Sequence, residues 1–196
     1  MSKGTISLIV IGVVVLLLVG GALTSYNGLV QKDEAAATAW SNVQSQYQRR
    51  ADLIPNLVNT VKGYAKHESG TLESVVAARA KATQLTVNAD ELTPEKMKQL
   101  QAAQGELSQA LGRLLMITEN YPELKANENF RDLQAQLEGT ENRINESRRL
   151  YNESVKAYNV GIRTFPANIM AGIFGFEKRT AFEAEAGAEK APSVEF

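Results

Sequence analysis

The 196-residue chain has no cysteine, a single histidine and five prolines, none of them before Pro55. The missing cysteines exclude disulfides, thiolate metal sites, cysteine nucleophiles and lipoprotein acylation together. With His67 alone, the paired Glu-x-x-His motifs of di-iron helix bundles cannot be assembled. The His-Glu-x-x-His zinc pattern fails as well, because position 71 is a threonine. A Ser-His-Asp triad would have to draw on His67, which sits beside Glu68 at an expected turn, where a solvated imidazole is the simpler reading. No glycine-rich phosphate loop occurs. A net charge of −1 and a pI near 6.0 supply no basic surplus for nucleic acid. Glu138 and Glu141 are the carboxylates closest to a hydrolytic pair, but no nucleophile or metal site assembles around them. The expectation is a protein that is not an enzyme, carries no cofactor or metal, and has no nucleic-acid partner.

Charge is also missing from one long stretch, Gly4 to Gln31. Within it Ile6 to Thr24 (ISLIVIGVVVLLLVGGALT) is almost wholly apolar. A bilayer needs about 20 such residues, and a spanning chain must satisfy its own backbone, so the run is expected to be a transmembrane helix. Membrane lipid is thus the first expected partner, through residues 6–24. The rival is a cleaved signal peptide with Gly20-Gly21-Ala22 at the cleavage site. Only Lys3 precedes the run, and helical period resumes soon after it, which favours a retained anchor. Lys3 lies before the span, and Lys32 after it is offset by Asp33 and Glu34. By that one charge the N-terminus is expected in the cytoplasm and the bulk of the chain on the other side.

Beyond the span, apolar residues recur at helical spacing. Ala36, Trp40, Val43, Tyr47, Arg50, Ile54, Leu57, Val61 and Tyr64 follow steps of four and three, a coiled-coil-like seam on one helix. With no proline before Pro55, the span and this helix are expected to form one rod, with Gly20, Gly21 and Gly28 as hinge points. Pro55 removes a backbone bond and crowds the Ala51 carbonyl; it either curves the rod or presents that carbonyl to a partner. A turn at Gly63 and His67–Gly70 leads to a second helix with Leu72, Val75, Val76, Arg79, Ala82 and Leu85 on one side. Thr93-Pro94 starts a third, with Met97, Leu100, Gln104, Leu107, Leu111, Leu114, Thr118 and Tyr121 in its seam. Asn127 caps a fourth, with Phe130, Leu133, Leu137, Thr140, Ile144, Ser147, Tyr151, Val155, Tyr158 and Ile162 in line until Phe165-Pro166. The predicted fold is all-α, a transmembrane helix followed by an antiparallel up-and-down four-helix bundle. The expected divisions are residues 1–25 for tail and span, 26–176 for the bundle with an apolar C-terminal segment, and 177–196 for a charged, frayed tail.

Two features stand outside core packing. Asn42, Arg49, Asn56 and Gly63 recur every seven residues on the first helix, as do Asn145, Asn152 and Asn159 on the fourth. If these helices are neighbours, Arg49, Arg50, Asp52 and Asn56 would meet Glu141, Asn145, Arg148, Asn152 and Asn159. That candidate polar strip is either a register-fixing layer, a binding strip for a partner helix or polar ligand, or a solvated face. The second feature is the charge-free stretch ANIMAGIFGF. It is too short to span a bilayer. Its Ile169, Met170, Ile173, Phe174 and Phe176 either cap the bundle or form a patch that binds membrane or another subunit. Asn-Glu-Ser triplets at 145 and 152 match the glycosylation pattern, but mid-helix placement makes chance the better account.

Three separated blocks carry a resemblance. AWSNVQSQYQRRADLIPNLVNTVKGYAKHE (Ala39–Glu68), ENYPELKANENFRDLQAQLEGTENRI (Glu119–Ile144) and IRTFPANIMAGIFGFEKRTAFEA (Ile162–Ala184), with the Tyr-Asn pairs at 151–152 and 158–159, resemble the LemA family. The resemblance implies a bacterial inner-membrane protein with an N-terminal transmembrane helix and a four-helix bundle. It implies no activity. Family associations with magnetosome membranes and with membrane proteases of the HtpX type suggest roles in membrane organisation or quality control. The expected function is a self-associating scaffold or adaptor, a homo-oligomer; the alternative is an accessory regulator of such a protease.

Overall fold

The computed structural model describes residues 3–65 and 67–183. Among these every regular element is helical: α1 (Lys3–Tyr64), α2 (Ser69–Gln84), α3 (Pro94–Thr118), α4 (Pro122–Ala126), α5 (Glu128–Gly161) and α6 (Ala167–Phe174), with a single 3-10 turn at Ala89–Glu91. No strand occurs among the described residues.

The 62-residue α1 is unbroken, a rod of about 90 Å at 1.5 Å per residue. Its apolar first third is bare: Leu8, Leu16, Leu17 and Leu18 are all exposed, and this stretch is long and apolar enough to cross a membrane. Burial starts at Leu29 and then follows Ala36, Trp40, Val43, Tyr47, Arg50, Ile54, Leu57 and Val61, the seam expected from spacing. Tyr64, at the helix end, stays partly exposed and accepts a bond from Asn127 Nδ2 at 2.9 Å.

Gly20, Gly21 and Gly28 cause no interruption, and the helix continues through Pro55 as well. The carbonyl of Ala51, which Pro55 cannot satisfy, accepts from Arg79 Nε of α2 at 2.7 Å. The carbonyl is therefore claimed inside the molecule, by a cation placed one turn from Val75 on α2.

Local signals set the starts of α3 and α5. Thr93 accepts from the Lys96 N–H at 3.2 Å with Pro94 in the first turn, and Asn127 accepts from the Phe130 N–H at 3.0 Å. The α3 seam is buried from Met97 to Thr118, with Tyr121 only partly covered past the helix end. On α2, Leu72, Val75 and Ala82 are buried, but Val76 turns outward. A three-residue step from Leu72 to Val75 and then seven to Ala82 leaves Val76 on the solvent side.

α1 packs along α5 and against α2, and α2 packs against α3. The core has two apolar clusters. One gathers Ile54, Leu57, Val61, Val75, Leu114 and Phe130. The other, nearer the bare third of α1, gathers Trp40, Val43, Met97, Ile144, Tyr151 and Phe182. The loop after α2 is pinned to this second cluster, because Trp40 Nε1 and Gln44 Nε2 both donate to the Val87 carbonyl, at 2.8 and 2.9 Å.

The end of the chain departs from expectation. Residues 177–183 are not frayed: Phe182 is 7% exposed and belongs to the core. The rest of the expected tail, 184–196, lies outside the described residues.

Candidate functional site: a polar layer and a C-terminal strap

Between the two clusters lies one polar layer. Arg50 follows Tyr47 and precedes Ile54 on α1, so the seam that buries those neighbours buries Arg50 too, to 2% exposure. Its Nη1 donates to Glu141 Oε2 of α5 at 2.7 Å and to Ser108 Oγ of α3 at 2.9 Å. Its Nη2 donates to the Gln104 side chain and lies 3.4 Å from the Gln104 carbonyl. The guanidinium also sits 5.7 Å from the Tyr47 ring centroid. Gln104 separates Leu100 from Leu107, and Glu141 separates Leu137 from Ile144, so all three helices change cluster at this level. The Glu141 side chain is 45% exposed and the Arg50 side chain 3%, so the layer has a buried cation and a carboxylate at its rim. Burying a charge is tolerable only when it is paired and bonded; the two Nη atoms meet that condition by joining α1 to α3 and α5, while Nε is buried without a hydrogen-bond partner. A recess of about 250 Å³ opens beside it, lined by Arg50, Glu141, Asn145 and Arg148.

The strip expected from the seven-residue spacing therefore divides. Arg50 and Glu141 meet. Arg49, Asp52 and Asn56 are exposed on the outer face of α1, where Asp52 accepts from Gln48 Nε2 at 2.7 Å. Asn145 is exposed at the recess. Glu138, the other half of the considered carboxylate pair, is exposed as well.

Asn152 and Asn159 do something the spacing alone did not reveal. They hold neither α1 nor each other, but the backbone of the chain after α6. Asn159 Nδ2 donates to the Arg179 carbonyl at 2.8 Å, and the Arg179 N–H donates back to Asn159 Oδ1 at 2.9 Å. Asn152 repeats the exchange with Phe182, at 3.1 and 2.9 Å. Seven helical residues advance about 10.5 Å, and three residues of extended chain advance about 10 Å. Asparagines seven apart on α5 thus match residues three apart on a strap that runs antiparallel to it. Each side-chain amide presents one donor and one acceptor, as a neighbouring strand would.

Side chains lock the strap in place. Tyr151 donates to the Thr180 carbonyl at 2.8 Å. Phe182 enters an aromatic cluster with Trp40 and Tyr151, at centroid distances of 5.8 and 5.6 Å, and Arg148 lies 4.7 Å over its ring. Arg179 donates through Nε to Asp33 at 2.6 Å, through Nη1 to the Ala89 carbonyl at 3.0 Å and through Nη2 to Asp90 at 2.9 Å. It ties α1 and the 3-10 turn to α5, with Tyr158 5.7 Å below the guanidinium. Burial pushes the phenols of Tyr151 and Tyr158 up to about 12, with Asp33 adding to the rise at Tyr158. Gly175, the single positive-φ residue among those described (φ 72°), turns the chain from α6 into the strap. Arg179, Phe182 and Asp33 were not singled out from sequence; a lone phenylalanine amid charged residues at 177–183 was the available signal.

The C-terminal apolar residues lie on and after α6, which packs against α1. Phe174 and Phe176 flank Tyr26, at centroid distances of 4.7 and 5.8 Å. Ile169 and Ile173 point outward, and Met170 is partly covered.

Comparison with known proteins bears on this arrangement. A family model described as the LemA family matches residues 39–196, which takes in the polar layer, both clamping asparagines and the strap. The chain belongs to the LemA family. Among relatives, it is 29% identical over 193 residues to the magnetosome protein MamQ of Magnetospirillum gryphiswaldense, covering 88% of this chain and 69% of that one. It is 26% identical over 178 residues to magnetosome protein MamQ 2 of Paramagnetospirillum magneticum, covering 82% of this chain. The protein LemA of Metamycoplasma hominis is 25% identical over 145 residues, covering 74% of this chain. The chain spans 65% of the length of MamQ 2 and 63% of that of the Metamycoplasma hominis protein. Family membership and the bare apolar start of α1 agree on a membrane-associated helical protein.

Proposed function

We propose that this LemA-family protein is a non-enzymatic, single-pass scaffold or adaptor at a bacterial inner membrane, self-associating, with its body an antiparallel four-helix bundle. The observation that carries this reading is the continuity of α1. One unbroken helix is both the bare apolar segment and a central member of the helical body, which joins the membrane to the body through a rigid element. A rigid stalk holds a surface at a fixed height and orientation, which suits assembly more than turnover.

The chemistry agrees. The ion pair at the polar layer commits the buried Arg50 and the half-exposed Glu141 to structure, and His67 is exposed at the turn after α1. The exposed Arg49, Asp52 and Asn56 give α1 a polar outer face available to another protein. Relatives named as magnetosome proteins support a role in organising membrane. The side of the membrane occupied by the body rests on the one-charge bias around the span and is proposed as non-cytoplasmic.

The test is native-membrane crosslinking and mass measurement of the full chain, with photoreactive residues at Arg49 and Asn56. Adducts between copies, and a mass that is a multiple of the chain, are expected. A uniformly monomeric protein with no adduct at either position would reject the scaffold. Regulation of a membrane protease is the alternative function; unchanged turnover of that protease's substrates on deletion would reject it.

A further inference from the structure

The charge-free run of residues 164–176 contains α6, and the side α6 leaves uncovered is its apolar one. Its single buried residue is Ala171. Ile169 and Ile173, two positions to either side, lie about 200° away around the helix and are 49% and 66% exposed. Phe174 is 58% exposed and Phe165, just before the helix, 76%. Four large apolar side chains facing water on so short a segment call for an occupant.

The position of α6 names it. The helix packs on α1, and its Phe174 and Phe176 rings clasp Tyr26. Tyr26 lies two residues past the end of the Ile6–Thr24 run, about 3 Å further along the axis. The uncovered face of α6 is thus continuous with the bare surface of the span, at the level where α1 leaves hydrocarbon. Charge resumes beyond the apolar stretches on each adjoining piece of chain: Lys32, six residues past Tyr26 on α1, Arg163 before α6, and Glu177 and Lys178 after it. Aromatic rings with a polar handle favour this boundary, and an apolar helix bounded by charges lies in it rather than across it.

We infer that α6, with Phe165, is an interfacial foot embedded in the same bilayer leaflet from which α1 emerges. It is a second lipid contact that fixes the tilt and rotation of the helical body over the membrane. This rests on the reading of α1 as a span. The strap that starts at Gly175 then ties the foot to α5 through Asn159 and Asn152, so that the foot and the body move together.

The absence of cysteine makes the test direct. The full chain, reconstituted in phosphatidylethanolamine–phosphatidylglycerol vesicles, carries one spin label at a time, at Val13→Cys, Ile169→Cys, Ile173→Cys or Met116→Cys. Collisional accessibility to oxygen and to a water-soluble nickel chelate gives the depth of each label. Val13 is expected deep, Met116 in water, and Ile169 and Ile173 at headgroup depth, losing nickel accessibility relative to Met116. Water-like values at Ile169 and Ile173 with Val13 deep would overturn the foot and leave the anchor standing. A water-exposed Val13 would overturn the anchor and the foot with it. Labels at Ile173 shielded from both reagents, and broadened by spin–spin coupling that vanishes on dilution with unlabelled protein, would assign the face to a second copy and overturn the lipid assignment. Full-chain Ile169→Glu/Ile173→Glu should stay membrane-bound through α1 yet lose the fixed orientation of the body in oriented bilayers. Unchanged orientation would also count against the foot.

Discussion

The cluster around Val61 and Leu114 is closed by helices and by Ala65 just past the end of α1, whereas the cluster around Trp40 is closed by a strap with no regular structure. The first is mostly aliphatic, and apart from Ala65 its residues come from α1, α2, α3, α4 and α5 at helical spacing. The second has lost α2, which ends at Gln84, and fills the gap with Val87 and Leu92 from the loop and Phe182 from the strap. It uses large flat rings where the other uses branched chains. A helix supplies its own backbone bonds, but an extended strap must find partners, and Asn152 and Asn159 are those partners. The half nearer the membrane is therefore the half whose closure can be undone without unfolding a helix. Arg50 stands at the boundary.

The largest expected effect falls at that boundary. Arg50→Ala removes the cation from Glu141, Ser108 and Gln104 at once and leaves a hole between the clusters. Glu141, 45% exposed, is rehydrated, so the loss comes from the emptied volume, at about 2–5 kcal/mol, and from the unbonded Gln104 side chain, at about 1–3 kcal/mol more, read as a lower denaturation midpoint in detergent. Arg50→Met, which refills the volume, should recover part of the loss. If Arg50→Ala unfolds at the wild-type midpoint, the layer is not what joins the two halves.

Phe182→Ala tests the near half alone. Truncating a buried phenylalanine costs about 3–5 kcal/mol in a closed core, and the lower end is expected here because the strap can lift away instead of leaving a cavity. Hydrogen exchange should quicken at the Val87 loop and along α5 near Tyr151, with amides around Leu114 and Val61 unchanged. Uniform loss of protection across both clusters would mean that they unfold as one.

Asn159→Leu should have a smaller effect. It removes both bonds to Arg179, leaving a buried N–H and carbonyl to find water, at about 1–3 kcal/mol. Asn159→Asp keeps the acceptor for the Arg179 N–H and loses the donor to its carbonyl, so it should fall between. Limited proteolysis at 177–183 ranks the three forms. Gly175→Ala comes next, at about 1–2 kcal/mol for forcing a side chain into the left-handed region, with the same proteolytic readout.

Much of this comparison was legible in the sequence on one side and hidden on the other. The seams of α1, α3 and α5 were readable because a helix that buries one stripe repeats its apolar residues every three or four positions. Thr93 and Asn127 announced their helices because a side-chain oxygen before a polar first turn has a specific donor to satisfy. The seven-residue spacing of Asn152 and Asn159 was visible, but its partner was not. Spacing on a helix points equally to a neighbouring helix and to an extended chain with a 10 Å repeat. The strap has no period of its own, and its bonds go through backbone atoms common to every residue. Arg79 was hidden in a similar way: its place on the buried side of α2 was readable, but not the Ala51 carbonyl that it meets.

The smallest expected effect at neutral pH, and the one that separates the halves without a cavity, is alkaline. The folded phenols of Tyr151 and Tyr158 sit at about 12, chiefly through burial, against an ordinary value near 10. Between those values the unfolded chain has released the proton and the folded chain has kept it. The unfolded state then binds fewer protons, and stability falls as pH rises. The contribution is complete below about pH 10 and is lost progressively towards about pH 12. Both tyrosines border the strap, so the near half should lose exchange protection first as pH climbs through this window. Tyr151→Phe removes one titrating group along with its bond to the Thr180 carbonyl. It should lower the midpoint modestly at pH 8 and flatten the further fall between pH 10 and 11, with phenolate absorbance near 295 nm tracking the remaining tyrosines. A Tyr151→Phe protein that declines as steeply as the wild type across that interval would place the alkaline sensitivity elsewhere, away from the strap.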